Sequence, residues 1–245
     1  MKLEDNEIEM FEDRSENMAL FPFFMDISGK RGLIIGGGKH AWEKIERLRP
    51  YGPKLQVIAE TFLPEIEALA YEKSKCEKMN QENNTDCLGQ VMSVELIQRT
   101  FEMSDLENTP AFVIVATDSR EEGRKIAALC KERNILVNVV DDQEVCDFIF
   151  PCLIAKGKLS VGICTGGASP NVGIQLKKKV EELIPDRVEE ILDWLQEKRP
   201  VILQAIPDKK RRFAFHRTLS EVCMKENRPL TEAEFLEMLE AEIHP

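Results

Sequence analysis

The sequence predicts an α/β protein in which a parallel sheet comes first, a β-hairpin follows, and the rest of the chain is helical. Continuous apolar runs such as "AFVIVATD" and "ILVNVVD" alternate with amphipathic segments, which is typical of strands buried on both faces of a parallel sheet. After residue 142 the pattern changes, because "FIFPCLIAKGKLSVGICTGG" indicates two strands around a "KGK" turn. From there to the end, apolar residues recur with helical spacing.

Composition narrows the class of protein. The chain has 245 residues, 43% of them hydrophobic, and a net charge of −11. This charge argues against non-specific binding to nucleic acid or anionic lipid. No apolar run approaches the roughly 20 residues of a membrane helix, and the acidic beginning of the chain is the opposite of a basic signal peptide. We therefore expect a cytoplasmic protein that binds neither nucleic acid nor a membrane.

The cysteines do not suggest a crosslinked or metal-bound fold. There are seven of them, without paired C-x-x-C spacing, which argues against a disulfide framework and a structural zinc site. Cys130, Cys152 and Cys164 have apolar neighbours, which favours buried thiols. We predict no resident metal.

The elements of the sheet region follow in order. "GLIIG" predicts the first strand, and "HAWEKIERL" predicts a helix with Ala41, Ile45 and Leu48 on one face. "KLQVIAE" predicts the second strand, residues 62–71 a short helix, and the polar residues 73–93 an inserted loop. The strand "AFVIVATD", the helix "REEGRKIAALCKERN" and the strand "ILVNVVD" complete the sheet.

The helical region has recognisable helix starts. Ser169 is suited to an N-cap, with Pro170 at the first helical position. Thr231 and Glu234 form a capping box for the last helix. The chain is thus predicted to comprise an acidic flexible lead (1–19), a sheet domain (20–142), hairpin strands (143–168) and a helical domain (169–245).

Three glycines stand between the first strand and the first helix. Gly36, Gly38 and Ala41 form G-x-G-x-x-A, the phosphate-binding turn of a Rossmann-type dinucleotide fold. The first glycine permits a tight turn, the second leaves room for a pyrophosphate beside the backbone, and the alanine lets the helix pack closely on the strand. The helix N-terminus supplies free N–H groups and partial positive charge. The sequence therefore predicts a bound dinucleotide.

The end of the second strand bears on the choice of dinucleotide. Glu60 stands there, close to the spacing of about 20 residues at which such folds place an acid for the ribose hydroxyls. No arginine stands close after Glu60 in the sequence, which favours NAD over NADP. The alternative is that Glu60 is only a solvated charge at the end of a strand.

These residues, together with four longer motifs, resemble the precorrin-2 dehydrogenase family, the dehydrogenase/ferrochelatase module of sirohaem synthesis. The motifs are "FPFFMDISGKRGLIIGGGKHA", "VIVATDS", "LVNVVDDQEVCDFIFP" and "LSVGICTGGASPNVG", and the resemblance covers roughly residues 20–225. It implies an NAD-binding domain, a homodimer built through the hairpin strands, and NAD-dependent oxidation of precorrin-2 to sirohydrochlorin. In some members of the family the same site also inserts Fe²⁺ as a second substrate.

The resemblance also implies roles for individual residues. Asp141, in "NVVD", matches the carboxylate that the family uses for catalysis and chelation. The cofactor-binding set implied by position is Gly36, Gly37, Gly38, Lys39, His40, Glu60, Thr61 and Thr117. The substrate-binding set is Asn138, Thr165, Gly166 and Ser169.

The chain departs from the family pattern at several positions. Glu43 stands where an arginine is frequent, Glu60 where a proline is common, and Thr165 where some members have a serine. The acidic lead and the 73–93 segment are additions. No methyltransferase region follows the last helix, so we expect precorrin-2 to be supplied by another enzyme.

The predicted reaction needs a base near the oxidised carbons. Asp141 ends a parallel strand, where open α/β sheets bind their ligands, and the neighbouring Asp142 is expected to raise a carboxyl pKa by like-charge repulsion. The alternative is that Asp141 and Asp142 only cap a turn. His216 is a second candidate base. The alternative is that it is a histidine on a helix surface without a catalytic role.

Other features allow two interpretations. The basic run Lys209 to Arg212 either is a solvated helix face or binds the carboxylates of the substrate. The glycines of "TGGASP" either prepare an anion site at Ser169 or only turn the chain. Two other classes of protein remain open: a non-catalytic NAD-binding regulator, and a metal chelatase that binds no nucleotide.

Overall fold

The computed structural model describes residues 20–69 and 92–244. They divide into two compact units, of which the first ends at Ile149 and the second begins at Phe150. The predicted acidic lead and most of the predicted 73–93 insertion lie outside the described residues.

The first unit is built on a five-stranded parallel sheet. Its strand order is β3-β2-β1-β4-β5, with neighbouring strands parallel throughout. The central strands bury their side chains completely, as in Leu33, Ile34, Val113 and Ile114, because helices cover both faces of such a sheet. The predicted α/β class is confirmed. The strands are β1 (Arg31–Ile35), β2 (Lys54–Ala59), β3 (Ser93–Gln98), β4 (Phe112–Val115) and β5 (Leu136–Val139).

The helices of the first unit agree with the apolar spacing of the sequence. Helix α1 (Lys39–Leu48) buries the three predicted residues, Ala41, Ile45 and Leu48. Residues 64–69 form the helical segment α2. The side chain of Ser119 caps helix α3 (Arg120–Glu132) by accepting the N–H of Glu122. Short 3₁₀ turns lie at Arg49–Tyr51, Met103–Leu106 and Gln143–Val145.

Strand β3 is the element that the sequence did not predict. The sequence pattern places residue 93 in the inserted loop and predicts no strand between "KLQVIAE" and "AFVIVATD". In the structure Ser93–Gln98 pairs with β2 at the edge of the sheet, where Val94 is buried and Glu95 is exposed. An edge strand carries polar side chains on its open side, so it lacks the continuous apolar run by which the inner strands were found.

The second unit consists of a hairpin and four helices. Strands β6 (Cys152–Lys156) and β7 (Leu159–Ile163) are antiparallel and joined by a two-residue turn that begins at Gly157, where φ is +53°. Ser169 caps the first helix and Thr231 and Glu234 form a capping box, both as predicted. The helices are α4 (Pro170–Leu183), α5 (Val188–Ala205), α6 (Lys209–Glu226) and α7 (Glu232–Ile243).

The helical core of the second unit is formed by α5, α6 and α7. Ile191, Ile202, Leu219 and Phe235 are almost completely buried in one cluster, and the ring of Trp194 packs edge-on against Phe235. None of the described helices combines the length and the apolar character needed to cross a membrane.

Candidate functional site

The candidate residues of the first unit gather at the carboxyl ends of the parallel strands. Gly36 follows β1, Glu60 follows β2, Thr117 follows β4 shortly after its end, and Asp141 follows β5. Because β1 lies between β2 and β4 in the sheet, its carboxyl end is the switch point at which open α/β sheets bind ligands.

The glycine turn is made by backbone geometry alone. Gly36 has a φ of +117°, and a Cβ atom there would lie 2.3 Å from the carbonyl oxygen of Ala116. A Cβ at Gly37 would lie 2.1 Å from the carbonyl oxygen of Thr61. At Gly38, by contrast, no atom lies within 4 Å of the Cβ position. The first two glycines are required by the turn itself, and the third borders open space.

That open space lies at the N-terminus of α1. Gly38 is the N-cap residue in an extended conformation, and no side chain caps the helix. The first-turn N–H groups therefore have no side-chain acceptor within the described residues, and they carry the positive end of the helix dipole. A backbone cradle of this kind, which a Cβ would fill, fits the pyrophosphate of a dinucleotide.

The two residues after Gly38 have exposed side chains. Lys39 and His40 open α1, and Nδ1 of His40 lies 3.7 Å from a carboxylate oxygen of Glu43. The side chain of His40 is thus paired along its own helix. Any contact of His40 with a phosphate at this turn would come from its backbone N–H.

At the end of β2, Glu60 and Thr61 are both exposed. The side-chain amide of Gln98, the last residue of β3, donates a 3.1 Å hydrogen bond to the carbonyl oxygen of Glu60. Gln98 and the following Arg99 were missed because β3 itself was missed.

At the end of β4, the hydroxyl of Thr117 donates to the carbonyl oxygen of Ser119 over 3.4 Å, so it stabilises the turn into α3.

Asp141 is exposed and has a left-handed backbone conformation, with a φ of +61°. Its charge affects Lys44, a residue of α1. Burial lowers the pKa of Lys44 and the charge of Arg47 lowers it further, whereas the charges of Glu43 and Asp141 raise it. The structure thus brings the β5 turn and the glycine helix into one electrostatic neighbourhood.

Asp142 behaves differently from the expectation. Its carboxylate is buried and accepts four hydrogen bonds, from Arg120 at 3.0 and 3.2 Å and from Arg124 at 2.6 and 3.0 Å. The hydrogen bonds from Arg124, and then those from Arg120, hold the pKa of Asp142 well below its usual range. The predicted like-charge rise is therefore wrong for Asp142, because two guanidinium groups compensate its charge.

The turn after β5 is closed by a thiol and an amide. The Sγ of Cys146 accepts the N–H of Val139 at 3.1 Å and lies 3.3 Å from the carbonyl oxygens of Val139 and Asp142. Burial raises the pKa of this thiol. The buried amide of Asn138 donates to the carbonyl oxygen of Phe148 at 2.9 Å. Asn138 thus holds the returning chain, and its predicted contact with substrate stays a prediction.

The predicted substrate residues of the second unit form a local turn. The hydroxyl of Thr165 donates to the carbonyl oxygen of Ser169 at 3.1 Å, and the hydroxyl of Ser169 accepts the N–H of Val172. Gly166 is exposed with a φ of +61°. Cys164, which precedes this turn, is also exposed, so the predicted burial of its thiol is wrong. These contacts fit the interpretation that the glycines turn the chain into α4, and they leave the interpretation as an anion site open.

The other candidates of the second unit lie on α6. Burial lowers the pKa of His216, and the charges of Arg199 and Arg212 add to this effect, which favours a neutral imidazole. Within the basic run, Arg211 pairs with Glu242 and Arg212 donates to the carbonyl oxygens of residues 206 and 207. Lys209 and Lys210 are exposed, so only part of the run is available to a ligand.

With this geometry, the class of protein follows from comparison with known families. The chain belongs to the family described as "Putative NAD(P)-binding", which matches residues 23–152. The match spans the whole sheet, the glycine turn and the β5 turn. It confirms the predicted nicotinamide-dinucleotide fold.

Comparison with individual proteins is more specific. The chain is 31% identical over 204 residues to the siroheme synthase of Thioalkalivibrio sulfidiphilus, covering 83% of this chain and 38% of the relative. It is 32% identical over 203 residues to that of Methylococcus capsulatus, covering 82% of this chain and 39% of the relative. The chain thus spans about two fifths of the length of these relatives. These matches confirm the predicted resemblance to the precorrin-2 dehydrogenase and sirohaem synthase family.

A solved structure supports the fold along most of the chain. "SirC, precorrin-2 dehydrogenase" aligns with a TM-score of 0.63 and 21% identity, covering 91% of this chain and 98% of that one. The alignment therefore includes the hairpin and the helical region as well as the sheet.

Proposed function

We propose that this chain is an NAD-dependent dehydrogenase that oxidises precorrin-2 to sirohydrochlorin. The observation that carries the proposal is the open backbone cradle at Gly38 on the same sheet edge as the exposed carboxylate of Asp141. The similarity to siroheme synthases and to a precorrin-2 dehydrogenase supports the choice of substrate.

Residues at the ends of different strands are proposed to bind different parts of the cofactor. A bound nicotinamide dinucleotide supplies the hydride acceptor for the reaction. The pyrophosphate is assigned to the first turn of α1, where Lys39 and His40 contribute backbone N–H groups. Glu60 and Thr61 are assigned to the ribose beside β2, and Thr117 to the nicotinamide half beside β4. The carboxylate of Glu60 would accept hydrogen bonds from the ribose hydroxyls, which favours NAD.

Asp141 is proposed as the base that takes the proton released when the tetrapyrrole is oxidised. Its side chain is exposed at the sheet edge, whereas the Asp142 carboxylate is buried and already accepts four hydrogen bonds. Of the pair, only Asp141 has acceptor positions for a substrate proton that no donor among the described residues occupies. The backbone of Asp141 is held in a left-handed conformation, which also limits the positions that its carboxylate can take.

For the substrate, we assign carboxylate binding to the second unit. The tetrapyrrole is a polyacid, and Lys209 and Lys210 offer exposed cationic groups to it. Thr165, Gly166 and Ser169 form the other assigned position, where the N-terminus of α4 favours a carboxylate. Fe²⁺ is proposed as a second substrate, with Asp141 as the group that receives the pyrrole protons.

We also propose that the chain forms a homodimer through the hairpin and α4. Within the described residues, β6 and β7 pair only with each other, so each leaves one edge open. On α4, Val172, Ile174 and Leu176 are between 43% and 47% exposed. A second copy would cover these apolar groups and the strand edges. Light scattering should give twice the mass of one chain at micromolar concentration, and a monomer would contradict this assembly.

The activity is tested by supplying precorrin-2 anaerobically with and without NAD⁺ and following the absorption spectrum. Conversion to sirohydrochlorin is expected only with NAD⁺. Gly38→Asp should abolish NAD⁺ binding in calorimetry, because it fills the cradle and adds a repelling charge. A folded Gly38→Asp variant with unchanged NAD⁺ affinity would overturn the assignment of the site.

A further inference from the structure

Strand β3 brings an arginine to the ribose side of the candidate site. Gln98 ends β3 and is in register with Ala59, the last residue of β2. Its amide also binds the carbonyl oxygen of Glu60. Glu60 is therefore the first residue after β2, and Arg99 is the first residue after the neighbouring parallel strand β3. The lack of an arginine close after Glu60 in the sequence therefore does not by itself explain a preference for NAD, because β3 places Arg99 beside Glu60.

The guanidinium of Arg99 is already bound to a carboxylate. Its Nη1 and Nη2 atoms donate to the two carboxylate oxygens of Asp105, at 2.8 and 2.5 Å. Nη1 also donates to the carbonyl oxygen of Thr100 at 2.9 Å. This two-point pairing leaves few of the guanidinium N–H groups for another acceptor.

Asp105 is itself fixed in the crossover between β3 and β4. It is 7% exposed, and its Oδ2 accepts the backbone N–H of Glu102 at 2.8 Å. Arg31, the first residue of β1, donates to the backbone carbonyl of Asp105 at 2.9 Å. Removing Arg99 from this carboxylate would leave a nearly buried charge without its main partner, which is costly.

A guanidinium beside the ribose is the group with which dinucleotide folds bind the 2′-phosphate of NADP. We propose that the Arg99–Asp105 pair is a selectivity lock, which withholds the Arg99 guanidinium from a 2′-phosphate and so keeps the ribose site specific for NAD. This inference rests on the proposed function, since it requires a dinucleotide at this edge. Glu60 acts in the same direction, because its carboxylate repels a phosphate.

The test is calorimetric titration of NAD⁺ and NADP⁺ into the wild type and into matched variants. Asp105→Asn keeps an acceptor for Glu102 but loses the charge that holds Arg99. In a Glu60→Gln background, Asp105→Asn should raise the affinity for NADP⁺ relative to NAD⁺ by roughly tenfold over Glu60→Gln alone, the scale of one charge-assisted hydrogen bond. Adding Arg99→Gln should remove the gain. A change below twofold, or a gain that persists without Arg99, would overturn the lock.

A second pair of variants decides the question if Asp105→Asn does not fold. With Asp105 intact, Glu60→Gln and Glu60→Gln/Arg99→Gln should have equal NADP⁺ affinities, because the guanidinium is withheld in both cases. A loss of NADP⁺ binding on removal of Arg99 in this pair would show that the guanidinium is not withheld. A wild type that binds neither dinucleotide would contradict the proposed function, whereas NAD⁺ binding with unchanged selectivity in the Asp105→Asn variants would contradict only the lock.

Discussion

The turn after β1 and the turn after β5 lie at the same edge of one sheet but are made in opposite ways. The β1 turn is shaped by the absence of side chains: Gly36 and Gly37 have no room for a Cβ, and Gly38 borders open space. The β5 turn is shaped by side chains, since the buried Asp142 carboxylate is held by Arg120 and Arg124 from α3. The comparison teaches that a turn built from the backbone can be predicted from neighbouring residues in the sequence. A turn built from side chains depends on partners that are distant in the sequence.

The largest effect should come from adding one methyl group to the backbone-built turn. Gly36→Ala places a Cβ 2.3 Å from the Ala116 carbonyl oxygen at a φ of +117°, so we expect a loss of about 3 kcal/mol or more in the free energy of unfolding. Urea unfolding measures this loss.

Gly38→Ala is the matched control, because no atom lies within 4 Å of its Cβ position. It should unfold like the wild type while its NAD⁺ affinity falls. Equal stability of the two alanine variants would mean that the turn is not built as described.

A smaller effect is expected from the side-chain-built turn. Asp142→Asn removes the charge that both arginines bind, and we expect a loss of about 2 kcal/mol at neutral pH. Since the folded-state pKa of Asp142 is depressed, its contribution is complete above the unfolded pKa of about 4 and is lost as the pH falls below it.

Urea unfolding of the wild type and Asp142→Asn between pH 7 and pH 3 measures this dependence. The stability difference should be constant down to about pH 4 and then shrink. A difference that grows on acidification would contradict the ion-pair account.

The smallest effects should separate the two arginines. Arg124 makes the shorter hydrogen bonds to Asp142 and also binds Glu144 at 2.6 Å, whereas the Arg120 side chain is 66% exposed. Arg124→Gln should therefore lower the free energy of unfolding more than Arg120→Gln does, and both effects should be smaller than that of Asp142→Asn, since exposed pairs are screened by solvent. Thermal unfolding of the two variants under the same conditions measures the order, and the reverse order would contradict the geometry.

The same contrast explains how far the sequence could be interpreted. The inner strands, α1 with its glycine turn, and the caps at Ser169 and Thr231 were predicted, because each depends on residues within a few positions of one another. Strand β3 was missed because its polar side chains follow a polar segment. The partners of Asp142 were missed because they lie 18 and 22 residues away, and only the fold brings α3 to the end of β5. The Arg99–Asp105 pair, only six residues apart, was missed because Arg99 directly follows the strand that was missed.

The central claim is that Asp141, placed by the β5 turn, is the base of the reaction at the NAD-binding edge. The most direct measurement is the anaerobic single-turnover rate of precorrin-2 oxidation by Asp141→Asn, with NAD⁺ affinity measured on the same protein. The account predicts a rate lower by about 10²- to 10⁴-fold, the usual cost of losing a general base, with NAD⁺ affinity unchanged. An Asp141→Asn variant that oxidises precorrin-2 at the wild-type rate would contradict it.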